Sequence, residues 1–181
     1  MSPTFTLPAM AEGERYWLPI NGQERDGCFA QAAAQRPGPH GWLAGEGGLI
    51  ANLRVWENCL LPLSYFGQPP QPADETRFAE LLALLDIPEH EHSSFAGLPV
   101  ASLNARQKRL VCALRTLMAQ PAWVFVESEW LSRLNETDAE RLEQAFSKHS
   151  PASAWLVLGH AQPNPIWRCQ TTQTGPDHAA A

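Results

Sequence analysis

Ser102–Trp130, SLNARQKRLVCALRTLMAQPAWVFVESEW, is the stretch from which the rest of the chain can be read. Asn104 can accept hydrogen bonds from the free N–H groups at a helix start. Gln107, three residues on, can reach back to the cap residue, so the pair has the form of a capping box. Leu110, Val111, Leu114, Leu117 and Met118 recur at helical spacing and form one apolar face. Pro121 bars the helix from continuing. Trp123–Val126 is a continuous apolar run, as expected of a strand covered on both sides. Glu127, Ser128 and Glu129 stand where that strand would emerge.

The layout resembles the signature helix and Walker B strand of an ABC transporter ATPase. That family's pattern is LSGGQ, a helix with a late Arg, a Pro, four apolar residues and then Asp-Glu-Pro. Leu103-Asn104-Ala105-Arg106-Gln107 lies at the signature position, Arg115 matches the late Arg and Pro121 the Pro. Residues 47–67, GGLIANLRVWENCLLPLSYFG, resemble the segment that follows the family's Q-loop, with Leu53, Val55, Glu57, Asn58, Leu61, Pro62 and Leu63 fitting. This second match is similar to importer-like ATPases and to those of MCE lipid-transport systems. Ser132, Leu134 and Asn135 resemble the D-loop, S-x-L-D, with Asn135 in place of Asp. His160, two residues beyond the buried-type strand Ala154–Leu158, takes the place of the switch histidine. The resemblance runs over residues 42–160 and rests on the order of its elements, since no single motif is intact.

It implies an α/β fold, a shortened P-loop NTPase-type core with a small helical subdomain. Residues 1–45 would be a reduced N-terminal part of the core without a phosphate loop. Residues 46–120 would hold the helical subdomain and signature helix, residues 121–174 the Walker B strand to the last strand, and residues 175–181 a loose tail.

The departures from the pattern decide the expected function. No GxxxxGK[ST] sequence is present; Gly45-Glu46-Gly47-Gly48 lacks the Lys and Ser/Thr and reads as a flexible turn. The Q-loop Gln falls near Gly45 and is missing. Ala105 and Arg106 replace the signature glycines, so a Cβ and a long cation stand where backbone must approach phosphate. The acidic end has two registers. Counted from Pro121, Glu127 takes the metal-binding position and Ser128 the catalytic Glu position; counted back from the D-loop, Ser128 and Glu129 take them. Neither restores an Asp-Glu pair. Glu127, Ser128, Glu129 and His160 are therefore vestigial positions, and His160 reads more plainly as a hydrogen-bonded histidine at a strand end. Phosphoryl transfer is mostly positioning and charge neutralisation, so the missing parts are not easily replaced.

The resemblance then implies a non-catalytic subunit or regulator of a membrane transport complex, with lipid among the cargo classes, and no cofactor. The rival reading is a working subunit that takes ATP and magnesium through atypical loops; a third is a free-standing interaction domain on the same scaffold. The implied partners are an ABC permease or transmembrane subunit and a complete ABC ATPase as heterodimer partner. Trp56, Tyr65 and Phe66 concentrate aromatic area where a permease would dock, and at least one is expected to be exposed. The basic group Arg106, Lys108, Arg109 and Arg115 reads as a solvated helix face, or as a surface for a partner's nucleotide.

Composition sets the bounds. A chain of 181 residues, 44% apolar, is long enough for one domain with a real core. A net charge of −6 argues against nucleic-acid binding. Cys28, Cys59, Cys112 and Cys169 are scattered without a zinc pattern and read as reduced thiols. Glu89-His90-Glu91-His92 reads as a solvated loop, so no metal site is expected. No segment reaches the roughly 18 apolar residues of a membrane span, which suggests a cytoplasmic protein, peripheral at the inner face of the membrane through a partner.

Local signals complete the picture. Phe5–Leu7 and Arg15–Ile20 read as strands, Asn21-Gly22 as a turn and Cys28–Gln35 as a short helix. Pro62 would stop the segment before it. Asp74 and Thr137 would cap two further helices, the first with Phe78, Leu81, Leu82, Leu85 and Ile87 inward, the second with Ala139, Leu142, Ala145 and Phe146 inward. Ile166–Gln173 reads as a last strand.

Overall fold

The computed structural model describes residues 10–35, 40–45, 48–65, 67 and 69–171. Phe5–Leu7, Phe66 and the tail from Thr174 lie outside them.

Five strands form one sheet: β1 (Arg15–Leu18), β2 (His40–Leu43), β3 (Trp123–Glu127), β4 (Ala154–Leu158) and β5 (Gln170–Thr171). Their order is β2-β3-β4-β1-β5, and every pairing is parallel. Parallel neighbours need helical crossovers, and the helices cover both faces. Helix α1 (Gly22–Gln35) follows β1. Helices α2 (Val55–Tyr65), α3 (Pro72–Leu84), α4 (His92–Gly97) and α5 (Ala105–Ala119) lie between β2 and β3 in the chain. Helices α6 (Ser128–Ser132) and α7 (Glu136–His149) connect β3 to β4.

The strands show why their sequences are apolar throughout. Val124 and Val126 of β3, with Trp155 and Val157 of β4, pack into the core formed with α5 and α7. Phe125, Leu156 and Leu158 point the other way and meet Cys28, Phe29 and Ala32 of α1. Helix α5 carries its apolar stripe as expected: Leu110, Val111, Leu114, Leu117 and Met118 are all buried. Asn104 caps it, accepting from the Gln107 backbone N–H at 2.9 Å, while the Gln107 side chain accepts from the Asn104 N–H at 3.0 Å. Gln120 ends it in the left-handed region (φ 43°), just before Pro121.

Several local readings are corrected. Asn21-Gly22 is a helix start, not a turn. Asn21 accepts from the Glu24 N–H at 3.0 Å and Glu24 accepts from the Asn21 N–H at 3.3 Å, so α1 begins six residues before Cys28. Pro62 lies inside α2, which continues to Tyr65. Asp74 works from within α3: its carboxylate accepts from the Gln71 N–H at 2.8 Å, and Pro72 opens the helix. Asn135, not Thr137, caps α7, accepting from the Asp138 N–H at 2.7 Å. Glu89–Glu91 forms a 3-10 turn that runs into α4. The last segment is a 3-10 turn at Pro165–Trp167 followed by the two-residue β5.

Candidate functional site

In a parallel sheet crossed by helices, ligands gather outside the carboxyl ends of the strands. Here that edge is formed by the ends of β1, β2, β3 and β4. The β1–α1 connection consists of Pro19, Ile20 and Asn21 alone. The first turn of α1 is closed by the Asn21–Glu24 box, which places a carboxylate at the positive end of the helix dipole.

Glu127 ends β3 and is held twice. Its Oε2 accepts from the Gly45 backbone N–H at 2.6 Å, and its Oε1 lies 3.3 Å from Nη1 of Arg25 in α1. Its side chain is only 14% exposed. Ser128 is buried, and neither its Oγ nor the buried Oε2 of Glu129 has a hydrogen-bond partner. Both groups press against Gly159, just past β4: a Cβ there would meet Glu129 Oε2 at 2.7 Å and Ser128 Oγ closer still. Gly159 also has φ 134°, so glycine is required twice over. His160, the next residue, is exposed.

The signature-like segment is occupied by structural work. Leu103 is buried, and Asn104 and Gln107 form the cap. Arg106 donates from Nε and Nη2 to the two carboxylate oxygens of Asp138, each at 2.6 Å, and Asp138 is 2% exposed. Asn135 of the D-loop-like stretch caps the same helix and donates to Asp138 at 3.0 Å. Ser132 donates to the Glu129 carbonyl, within α6, and Leu134 packs against the main core. The basic group is therefore not one solvated face. Arg106 is bound to a buried acid, and Arg115 donates to the Gly48 carbonyl at 2.9 Å.

The segment after β2 is built around Asn58, which is fully buried. It donates to the carbonyls of Ile50, Leu53 and Arg54 and accepts from the Ile50 N–H, at 2.8 to 3.3 Å. Glu57 accepts from the Arg54 N–H at 2.8 Å and closes the start of α2. Trp56 turns inward onto Phe78, ring centroids 4.9 Å apart. Tyr65 turns outward and is 85% exposed. Beside it a groove of about 360 Å³ runs between β2, α2 and α5, and Trp42, Ile50, Pro62 and Tyr65 line it. Sequence reading passed over Trp42 and Ile50. Nothing in their local pattern sets them apart; Trp42 lies on the edge strand β2, and Ile50 in the connection from β2 to α2.

Burial pushes the Cys28 thiol up to about 11 and raises those of Cys59 and Cys112. Among the described residues, no group of three or more His, Cys, Asp or Glu could hold a metal ion, and no helix is long and apolar enough to cross a membrane.

No family model matches the sequence. No curated protein matches it either. Solved structures do. The dimeric form of a bacterial ABC transporter cassette aligns with a TM-score of 0.67 and 17% identity, over 89% of this chain and 80% of that one. An ATP-binding subunit of an ABC transporter aligns with 0.65 and 15%, over 83% and 70%. A metal-chelate type ABC transporter in an inward-facing conformation aligns with 0.61 and 14%, over 88% and 68%. The fold is that of these ABC transporter cassettes.

Proposed function

We propose that this chain is a non-hydrolysing ABC-ATPase-like subunit that supports or regulates a membrane transport complex. The observation that carries this reading is the three-residue β1–α1 connection, Pro19–Asn21, with α1 closed by its own Glu24. A phosphate loop wraps its ligand in backbone N–H groups and neutralises it with a Lys. Here Pro19 has no N–H, the Glu24 N–H is taken by Asn21, and a carboxylate stands where phosphate charge would come. A magnesium–triphosphate does not fit these residues. Glu127, the acid that faces α1 and so favours the register counted from Pro121, is already held by Gly45 and Arg25.

The partners we propose are an ABC permease and a complete ATPase subunit, with this chain peripheral at the inner membrane face through them. The groove beside Tyr65 is the surface that suits a permease helix, since exposed Trp42, Ile50 and Tyr65 converge on it. Lipid as cargo rests on the resemblance of residues 47–67 alone.

Two measurements test the proposal. Phosphate release from ATP and magnesium should stay at background, and Glu127→Gln and Glu129→Gln should leave it there. Release above background that either variant abolishes would establish a working ATPase. Pull-down from membranes should capture an integral membrane partner with wild type and at least threefold less with folded Tyr65→Ala. Equal capture by both would remove this groove as the docking surface. No capture by wild type would favour a free-standing interaction domain.

A further inference from the structure

We infer that the recess between the start of α5 and α6 binds a small tetrahedral oxyanion, a phosphate or phosphomonoester. Its lining brings together Lys108 and Arg109 of α5, Arg133 after α6, and Trp130. Among the described residues, no carboxylate lines it. Among the described residues, none of the three cations has an acidic partner within ion-pair distance, whereas Arg15, Arg25, Arg77, Arg106 and Arg141 all do. Three unpaired cations side by side in a chain of net charge −6 are an uncompensated local field.

A second observation points to a ligand. Trp130 is 1% exposed, and its buried indole N–H has no hydrogen-bond partner. The buried Nε of Arg109 has none either. A buried donor left unsatisfied costs about 1–3 kcal/mol, and buried tryptophan N–H groups normally find an acceptor. An oxyanion accepts several hydrogen bonds at once and carries the charge the cations lack. The start of α5 adds its positive dipole end, with Ala105 in the lining. The recess holds about 200 Å³, less than the roughly 300 Å³ at which pockets for larger ligands begin. It fits one phosphate group and not a nucleotide. Gly45 in the lining donates its N–H to Glu127, and that acid is paired with Arg25.

The inference does not depend on the proposed transport role. Its test is titration of the purified chain with inorganic phosphate at constant ionic strength, chloride being exchanged out. Wild type should bind saturably. Arg109→Gln and Trp130→Phe should each weaken binding about tenfold, the effect of one charged or buried hydrogen bond. Lys148→Gln, which removes a charge at the exposed end of α7, should change nothing. Urea unfolding checks each variant; if Trp130→Phe does not fold, Lys108→Gln and Arg133→Gln take its place. No saturable binding below about 10 mM, or an equal loss in Lys148→Gln, overturns the inference. Phosphatidylcholine vesicles with and without phosphatidic acid separate the sources. Sedimentation that needs phosphatidic acid and is lost in Arg109→Gln assigns the oxyanion to a lipid head group. Saturable phosphate binding without sedimentation assigns it to a soluble phosphate.

Discussion

Asn58, itself fully buried, holds the turn at residues 50–54 with four hydrogen bonds from one side chain. Asn58→Ala removes its half of each and leaves the turn's backbone groups without these partners. Chemical denaturation should show a loss of about 3 kcal/mol, with a loss under 1 kcal/mol contradicting this role. Asn104→Ala gives up a single cap at an exposed helix start, and the same measurement should show about 1 kcal/mol. Gly159→Ala should lower stability by more than about 1 kcal/mol, because φ 134° and the approach of Glu129 both exclude a Cβ. An unchanged unfolding midpoint for Gly159→Ala would mean that α6 packs differently against β4. Asn58, Asn104 and Gly159 thus act on the fold, although two of them lie in stretches that resemble functional motifs.

Helices α5 and α7 are tied at their starts by Arg106 and Asp138, the acid being buried and the arginine side chain half exposed. A double-mutant cycle with Arg106→Ala and Asp138→Ala should give a coupling of about 1–2 kcal/mol by urea unfolding; additivity within about 0.3 kcal/mol would deny the tie. Elements with a strong repeating pattern and clear punctuation were legible. Helix α5 and strands β3 and β4 lie where their apolar periods place them. The misses share a cause: a local signal that tertiary context turns to another use. Asn-Gly commonly marks a turn, but Glu24 three residues on turns Asn21 into a cap. Pro62 lacks one helix hydrogen bond, yet α2 is held by burial of Val55, Asn58, Cys59 and Leu63. Thr137 gave way to Asn135, which binds Asp138 from both sides. At the site, the absence of a GxxxxGK[ST] motif was legible in the sequence itself. The Glu127–Gly45 and Glu127–Arg25 contacts were not, since they join residues about 80 to 100 positions apart.

At the scale of the whole molecule, the sheet is parallel in the order β2-β3-β4-β1-β5, with the bulk of the described helices on one face and α1 on the other. The carboxyl-end edge of its strands is closed by contacts among the chain's own side chains. Asn21 and Glu24 satisfy each other there, and Arg25 pairs with Glu127, so removing either member of a pair deprives the other of that contact. Under the proposed non-hydrolysing role, this closure is what keeps nucleotide out. Calorimetric titration of the purified chain with ATP, in the presence and absence of magnesium, tests it most directly. The account predicts no magnesium-dependent binding up to about 1 mM ATP; a magnesium-dependent dissociation constant in the low micromolar range, about −8 kcal/mol of binding free energy, would contradict it.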